Sequence, residues 1–320
     1  MKWLIINADD FGLSESINRG IEEAYRAGSL SSATLMVNMP GFQDAVRRAH
    51  ALPQLGVGLH FNLTYGRPIS DPNHVPSLVK PDGTFSGLPT ISSWNEWEIE
   101  LELAAQWKRF VAAGLRPTHL DSHHHLHLMD QAVHRAMSTF AIREQVPMRK
   151  SQLSTVSSKP APLTTDFILL DNYDKQDSLE RLIQSIANLP EGSSEIMCHP
   201  GYVDDMTREL SIYTQERELE LNVFRSPNIR QALETNRVHL IHFGQLAASK
   251  IAMLPGIQET LTTPEKNVKL RHPKRSAKRR TILVKNKRKK TSSSSSHKRH
   301  SSRVTKSKKV NLHKKRSLML

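Results

Sequence analysis

Histidine and aspartate gather at a few points of this 320-residue chain in patterns that suit metal-assisted or acid–base chemistry. The densest run is Thr118-His119-Leu120-Asp121-Ser122-His123-His124-His125-Leu126-His127, with five histidines and one aspartate inside nine residues. A solvated surface has no need of such a run. Imidazole is the commonest metal ligand, and a carboxylate beside it can orient the ring or balance the charge. If the chain stays extended, alternation puts Asp121, His123, His125 and His127 on one side.

Three other points carry the same kind of chemistry. Asp9 and Asp10 close a compact apolar run in Asn7-Ala8-Asp9-Asp10-Phe11-Gly12-Leu13. Neighbours on a strand point to opposite faces, but where a strand ends both carboxylates can reach one opening. Alone, the pair reads equally as a turn and helix-cap cluster. His60 lies in Gly58-Leu59-His60-Phe61-Asn62-Leu63-Thr64, sharing a strand face with Gly58, Asn62 and Thr64. That face suits a polar interior, and a hydrogen-bonded core histidine is the alternative. His199, in Met197-Cys198-His199-Pro200-Gly201, is placed for a general acid at a strand end. Cys198 beside it points away and reads as packing rather than as a nucleophile.

These residues need elements to bring them together. Strand-like runs are expected over residues 3–8, 33–38, 56–63, 118–120, 146–149, 167–170, 195–198 and 238–243. Helical periodicity separates them, as over 96–113, 178–188 and 215–224. One helix begins with Ser14 as N-cap, shows Ile17, Ile21, Ala24 and Tyr25 on one face, and stops at Gly28. Strands alternating with helices predict a parallel sheet with right-handed crossovers. Their number suits an α/β fold of the distorted (β/α) barrel type, with its chemistry at the C-terminal ends of the strands. An open doubly wound sheet is the alternative. Trp94 and Trp97, beside a long polar stretch, either pack their helix or stack on a ligand.

Charge divides the chain. Of its 45 Lys and Arg, 22 fall from Lys266 onward, where no Asp or Glu occurs; the preceding part holds the other 23 and all 31 acidic residues. The net charge of +14 therefore belongs to the end of the chain. We expect a folded domain over 1–261 and a disordered Lys/Arg/Ser-rich tail over 262–320, too poor in apolar residues to offset its ordering entropy. Such a tail binds nucleic acid or other polyanions without sequence preference. A single cysteine excludes a disulfide framework and a Cys-rich zinc site. With no long apolar run and no signal-peptide pattern, the expectation is a cytoplasmic protein without a membrane span.

At the four motifs containing Asp9-Asp10, His60, His119–His125 and His199, the chain resembles the YdjC/ChbG family of carbohydrate deacetylases, which includes chitooligosaccharide deacetylases. The resemblance covers nearly all of 1–261. It implies a distorted (β/α) barrel like that of polysaccharide deacetylases, and a divalent metal ion, magnesium by the family's habit, with zinc or another transition ion also compatible. By position in the motifs, it implies that Asp10, His60 and His123 bind the metal and that Asp9 is the proton acceptor. His199 matches a histidine near the reacting centre, and Arg149 an arginine able to orient a catalytic carboxylate. The implied reaction removes N-acetyl groups from N-acetylglucosamine-containing oligosaccharides and releases acetate; a homodimer is compatible with it. The basic tail departs from the family pattern. Two other functions compete: a metal hydrolase acting on another bond of a sugar, and nucleic-acid binding through the tail. Glycosidic hydrolysis asks for two carboxylates flanking the bond, which an Asp-His-His set fits poorly.

Overall fold

The fold is built outward from β1 (Lys2–Phe11), whose apolar residues Leu4, Ile5, Ile6 and Ala8 are fully buried. A continuous apolar strand of this kind needs cover on both faces, as in a parallel sheet wrapped by helices. The other strands are β2 (Ser32–Leu35), β3 (Gly56–Phe61), β4 (Leu120–Ser122), β5 (Phe167–Leu169), β6 (Gly192–Cys198) and β7 (Val238–Leu240). The computed structural model describes residues 1–151, 161–171 and 173–252, so the tail expected over 262–320 lies outside the described residues.

All the pairings between these strands are parallel, in the order β4-β3-β2-β1-β6-β5. Along one edge β1 pairs with β6. It pairs with β7 through Lys2–Leu4 and with β2 farther along, at Asn7, Ala8 and Phe11. The sheet curls toward closure without a complete ladder. Beyond β4 a single parallel bridge joins Leu120 to Met148, and the Met148 amide donates to the Leu163 carbonyl at 2.9 Å. The chain then enters β5. This is the expected distorted barrel, with one difference: residues 146–149 do not form a strand. Arg149 donates to the Leu120 carbonyl and Pro147 accepts from the Leu120 amide, but Pro147 has no N–H with which to extend the pairing with β4.

The helices are α1 (Glu15–Arg26), α2 (Phe42–Ala51), α3 (Glu96–Ala112), α4 (Leu126–Met129), α5 (Gln131–Glu144), α6 (Ser178–Ala187), α7 (Asp205–Leu210), α8 (Gln215–Phe224), α9 (Pro227–Thr235) and α10 (Leu246–Ala252). Among the described residues, no helix is long and apolar enough to cross a membrane. The start of α1 is as expected: Ser14 Oγ accepts from the Ile17 amide, and Gly28 takes φ +83° just past the end. Between β3 and α3, residues 62–95 hold only two short 3₁₀ turns. The buried face of α3 pins this stretch with polar groups. Gln106 exchanges hydrogen bonds with the Asn62 backbone, Glu102 accepts from the Ile69 and Ser70 amides, and Glu98 accepts from the Ser77 amide and hydroxyl.

One close contact ties α1 to the loop after β6. A Cβ placed on Gly20 would lie 2.6 Å from Gly201 Cα, two residues beyond His199. Backbone on backbone leaves little room to yield. Overpacking of this kind costs about 1–3 kcal/mol. We therefore expect Gly20→Ala to lower the melting temperature by roughly 2–10 °C, since the shift per kcal/mol shrinks as a domain grows. Thermal unfolding followed by circular dichroism tests it, and an unchanged midpoint would show that the loop gives way freely.

Candidate active site

Because the strands are parallel, β1, β3, β4 and β6 all end at the same mouth of the barrel, and so do the residues singled out by type. The end of β1 is irregular. The β1–β2 register shifts between Ala8 and Phe11, and Asp10 adopts φ +65°. A regular strand would send Asp9 and Asp10 to opposite faces; the left-handed residue turns both carboxylates into the mouth. Aspartate is among the few types that accept this conformation.

Asp10 Oδ1 lies 2.9 Å from His123 Nδ1 and 3.3 Å from His60 Nε2, yet neither nitrogen is aligned to hydrogen-bond it. Three donor atoms, one from each of Asp10, His60 and His123, fall within 4.8 Å of one another, and all three residues are buried. Two imidazoles and a carboxylate around one point fit a divalent cation and leave positions for water and substrate. Asp9, His60 and Asp121 also cluster this closely. That position already has its cation. Arg149 Nη1 lies 2.7 Å from Asp9 Oδ2 and 2.6 Å from Asp121 Oδ2, and Nη2 lies 2.7 Å from Asp9 Oδ1.

The electrostatics sort the roles. His60 Nδ1 sits 3.1 Å from Asp121 Oδ2, which turns Nε2 toward Asp10. Carboxylates that orient a ligating histidine in this way are a regular feature of metal sites. Burial works against charge on His60, but Asp10 and Asp121 outweigh it and raise its pKa to about 10. A cation binding there competes with that proton. His123 is pushed below the usual range by burial, against the pull of Asp10. Burial also raises Asp9 and Asp10. Arg149 overcomes it at Asp9, and His123 with Arg217 overcomes it at Asp10, so both carboxyls stay ionised.

His199 follows β6. Its Nε2 lies 3.9 Å from Asp9 Oδ2 and its Nδ1 4.0 Å from Glu220 Oε1, while its backbone N–H donates to Glu220. Burial lowers its pKa, Glu220 more than compensates, and the ring favours its protonated form. Asp9, Asp10, His60, His123 and His199 thus line one cavity of about 280 Å³, with Tyr213 and Arg217 on its wall.

The histidine run does not stay extended. After Ser122 the chain turns, and His124 and His125 take φ +54° and +51°. His123 enters the site, His124 reaches the rim, and His127 turns back to Ser122 Oγ at 2.6 Å. Sequence reasoning also missed Arg217, which donates to Asp10 Oδ2 at 2.6 Å, and Glu220, which accepts from Tyr213 Oη at 2.7 Å. The signal was present. Arg217 and Glu220 share the buried face of α8 with Leu221 and Phe224, where charge is out of place unless paired.

The model of the family described as YdjC-like protein matches residues 3–235. The chain belongs to this family. The YdjC-like match includes Asp9, Asp10, His60, His123 and His199. A carbohydrate deacetylase of Geobacillus stearothermophilus is 40% identical over 245 residues, covering 76% of this chain and 97% of that protein. A chitooligosaccharide deacetylase of Salmonella paratyphi B is 36% identical over 241 residues, covering 72% and 93%. The crystal structure of an Enterococcus faecalis V583 protein, provisionally described as a cellobiose-phosphate cleavage protein, superposes with a TM-score of 0.71 at 32% identity. It covers 77% of this chain and 98% of that one.

Two stability measurements test the charge cluster beneath this YdjC-like site. Arg149 is fully buried and also donates from Nε to Glu195 Oε1 at 2.7 Å. Arg149→Met strands buried carboxylates, a loss of about 3–5 kcal/mol by analogy with broken buried ion pairs. Urea unfolding should show it, and a change below about 1 kcal/mol would contradict the assignment. Burial, only partly opposed by Arg149, raises the Glu195 pKa from 4.5 to about 7. The folded state holds that proton more tightly, so this group's contribution to stability falls as pH rises from 4.5 to about 7. Glu195→Gln should therefore gain on the wild type between pH 5 and pH 8, and a pH-independent difference would count against it.

Proposed function

We propose that this chain is a carbohydrate deacetylase that hydrolyses the N-acetyl group of N-acetylglucosamine-containing oligosaccharides, with a divalent ion held by Asp10, His60 and His123. The observation that carries the reading is the convergence of those three side chains beside Asp9. When bound, the ion supplies Lewis acidity toward the amide carbonyl and the attacking water.

The chain's own groups supply the proton traffic. An amide resists hydrolysis because its carbonyl is weakly electrophilic and its nitrogen leaves only when protonated. Asp9, held ionised with both oxygens fixed by Arg149, takes a proton from water as the new C–O bond forms. His199, protonated under the influence of Glu220, gives a proton to the nitrogen as the C–N bond breaks. Acetate and a free amine result. Arg217 neutralises the outer oxygen of Asp10 and holds that side chain in place. The family resemblance favours magnesium; two imidazoles among three donors favour a transition ion such as zinc.

Acetate release from N,N′-diacetylchitobiose tests the reading. Asp9→Asn should lower kcat about 10²–10⁴-fold, the range for loss of a general base. Chelation should abolish turnover, and zinc or magnesium should restore it. New reducing ends without acetate would instead support cleavage of a glycosidic bond, the second reading, which the provisional description of the Enterococcus faecalis relative makes worth testing.

A further inference from the structure

Residues 62–95 supply none of the residues assigned above to the chemistry, yet they are anchored more firmly than a connection needs. Glu98, Glu102 and Gln106 bind their backbone from α3, and Val79 and Phe85 form an antiparallel bridge. Long connections with little regular structure are uncommon in compact domains, and the ordered ones are usually functional, as lids or binding loops. This one borders a groove of about 460 Å³, lined in part by Tyr65, Lys80, Thr84, Phe85, Leu88 and His124.

The groove adjoins the catalytic cavity. Tyr65 and His124 line both. The two rings meet edge to face at 5.8 Å between centroids, and Tyr65 makes a similar contact with His123. His124 is fixed on the rim by its left-handed backbone and by Thr64 Oγ1, 3.0 Å from Nδ1. Non-glycine residues keep such a backbone only where their surroundings impose it, and they cluster at binding and catalytic sites.

We propose that this groove is the subsite for the sugar unit next to the one that reacts, with Tyr65 and His124 as the divider between the two. The proposal rests on the deacetylase reading of the catalytic cavity. A pyranose ring offers an apolar C–H face and a rim of hydroxyls. The groove's lining includes the ring of Tyr65 and the side chain of Leu88 as well as the polar Thr84 and Lys80, the two kinds of surface that such a ring presents. Size argues the same way. A cavity of about 280 Å³ falls just below the roughly 300–1,000 Å³ of small-molecule sites, and the adjoining groove brings the cleft well inside that range.

The test is steady-state deacetylation by the full chain, comparing N,N′-diacetylchitobiose with N-acetylglucosamine. The wild type should show at least about tenfold higher kcat/KM for the disaccharide, the scale of one well-filled subsite. Leu88→Trp, which fills the groove, and Lys80→Ala, at an exposed position, should each raise the KM for the disaccharide with little change in kcat, as loss of ground-state binding does. Equal kcat/KM for the two sugars in the wild type would overturn the subsite. So would an unchanged disaccharide KM in both variants, or a loss confined to kcat. If the wild type releases acetate from neither sugar, the deacetylase reading itself fails, and the subsite loses its ligand with it.

Discussion

Buried negative charge is the constraint on which this structure depends. Asp9, Asp10, Asp121, Glu195 and Glu220 are all inaccessible at or beneath the mouth of the barrel. An ionised carboxylate out of water is unfavourable by several kcal/mol unless a cation or a set of donors meets it. Arg149 meets Asp9, Asp121 and Glu195; Arg217 meets one oxygen of Asp10; His199 faces Glu220. Glu195 relieves part of the load by holding its proton up to about pH 7. Two oxygens of these five carboxyl groups keep no hydrogen-bond partner: Glu195 Oε2, on the group that retains its proton, and Asp10 Oδ1, faced by two imidazole nitrogens and aligned with neither. A cation placed there takes over from the proton on His60 in meeting that oxygen.

The fold makes this cluster possible by bringing parallel strand ends to one place. The backbone departs from regularity where the chemistry needs it. Asp10 is left-handed so that two consecutive carboxylates enter the same cavity, and His124 and His125 are left-handed so that His123 faces inward while its neighbour stays on the rim. Such conformations carry about 1–3 kcal/mol of strain each and persist only when packing and hydrogen bonds overdetermine them. Here the β1–β2 register shift, the Arg217–Asp10 pair and the Thr64–His124 contact do so.

Much of this was legible in the residues. Alternating strands and helices gave the barrel, because binary patterning and period report burial directly. Asp9, Asp10, His60, His123 and His199 stand out as polar groups at the ends of apolar runs, and the structure gathers all five. What stayed hidden depends on contacts between distant segments. Residues 146–149 look like a strand, but their pairing with β4 stops at the single Leu120–Met148 bridge. Arg217 and Glu220 sit in an ordinary-looking charged helix, and only tertiary packing reveals that their face is buried. The alternation expected of His123, His125 and His127 failed because two left-handed residues interrupt the extended chain, which no periodicity predicts.

The central claim is that Asp10, His60 and His123 share one ion, and it is most directly tested by diffraction from the purified chain at the absorption edge of a soaked transition metal such as zinc. The account predicts one anomalous peak at the barrel mouth, about 2.0–2.2 Å from Asp10 Oδ1, His60 Nε2 and His123 Nδ1. A peak ligated by other side chains, or none at a saturating metal concentration, would contradict it.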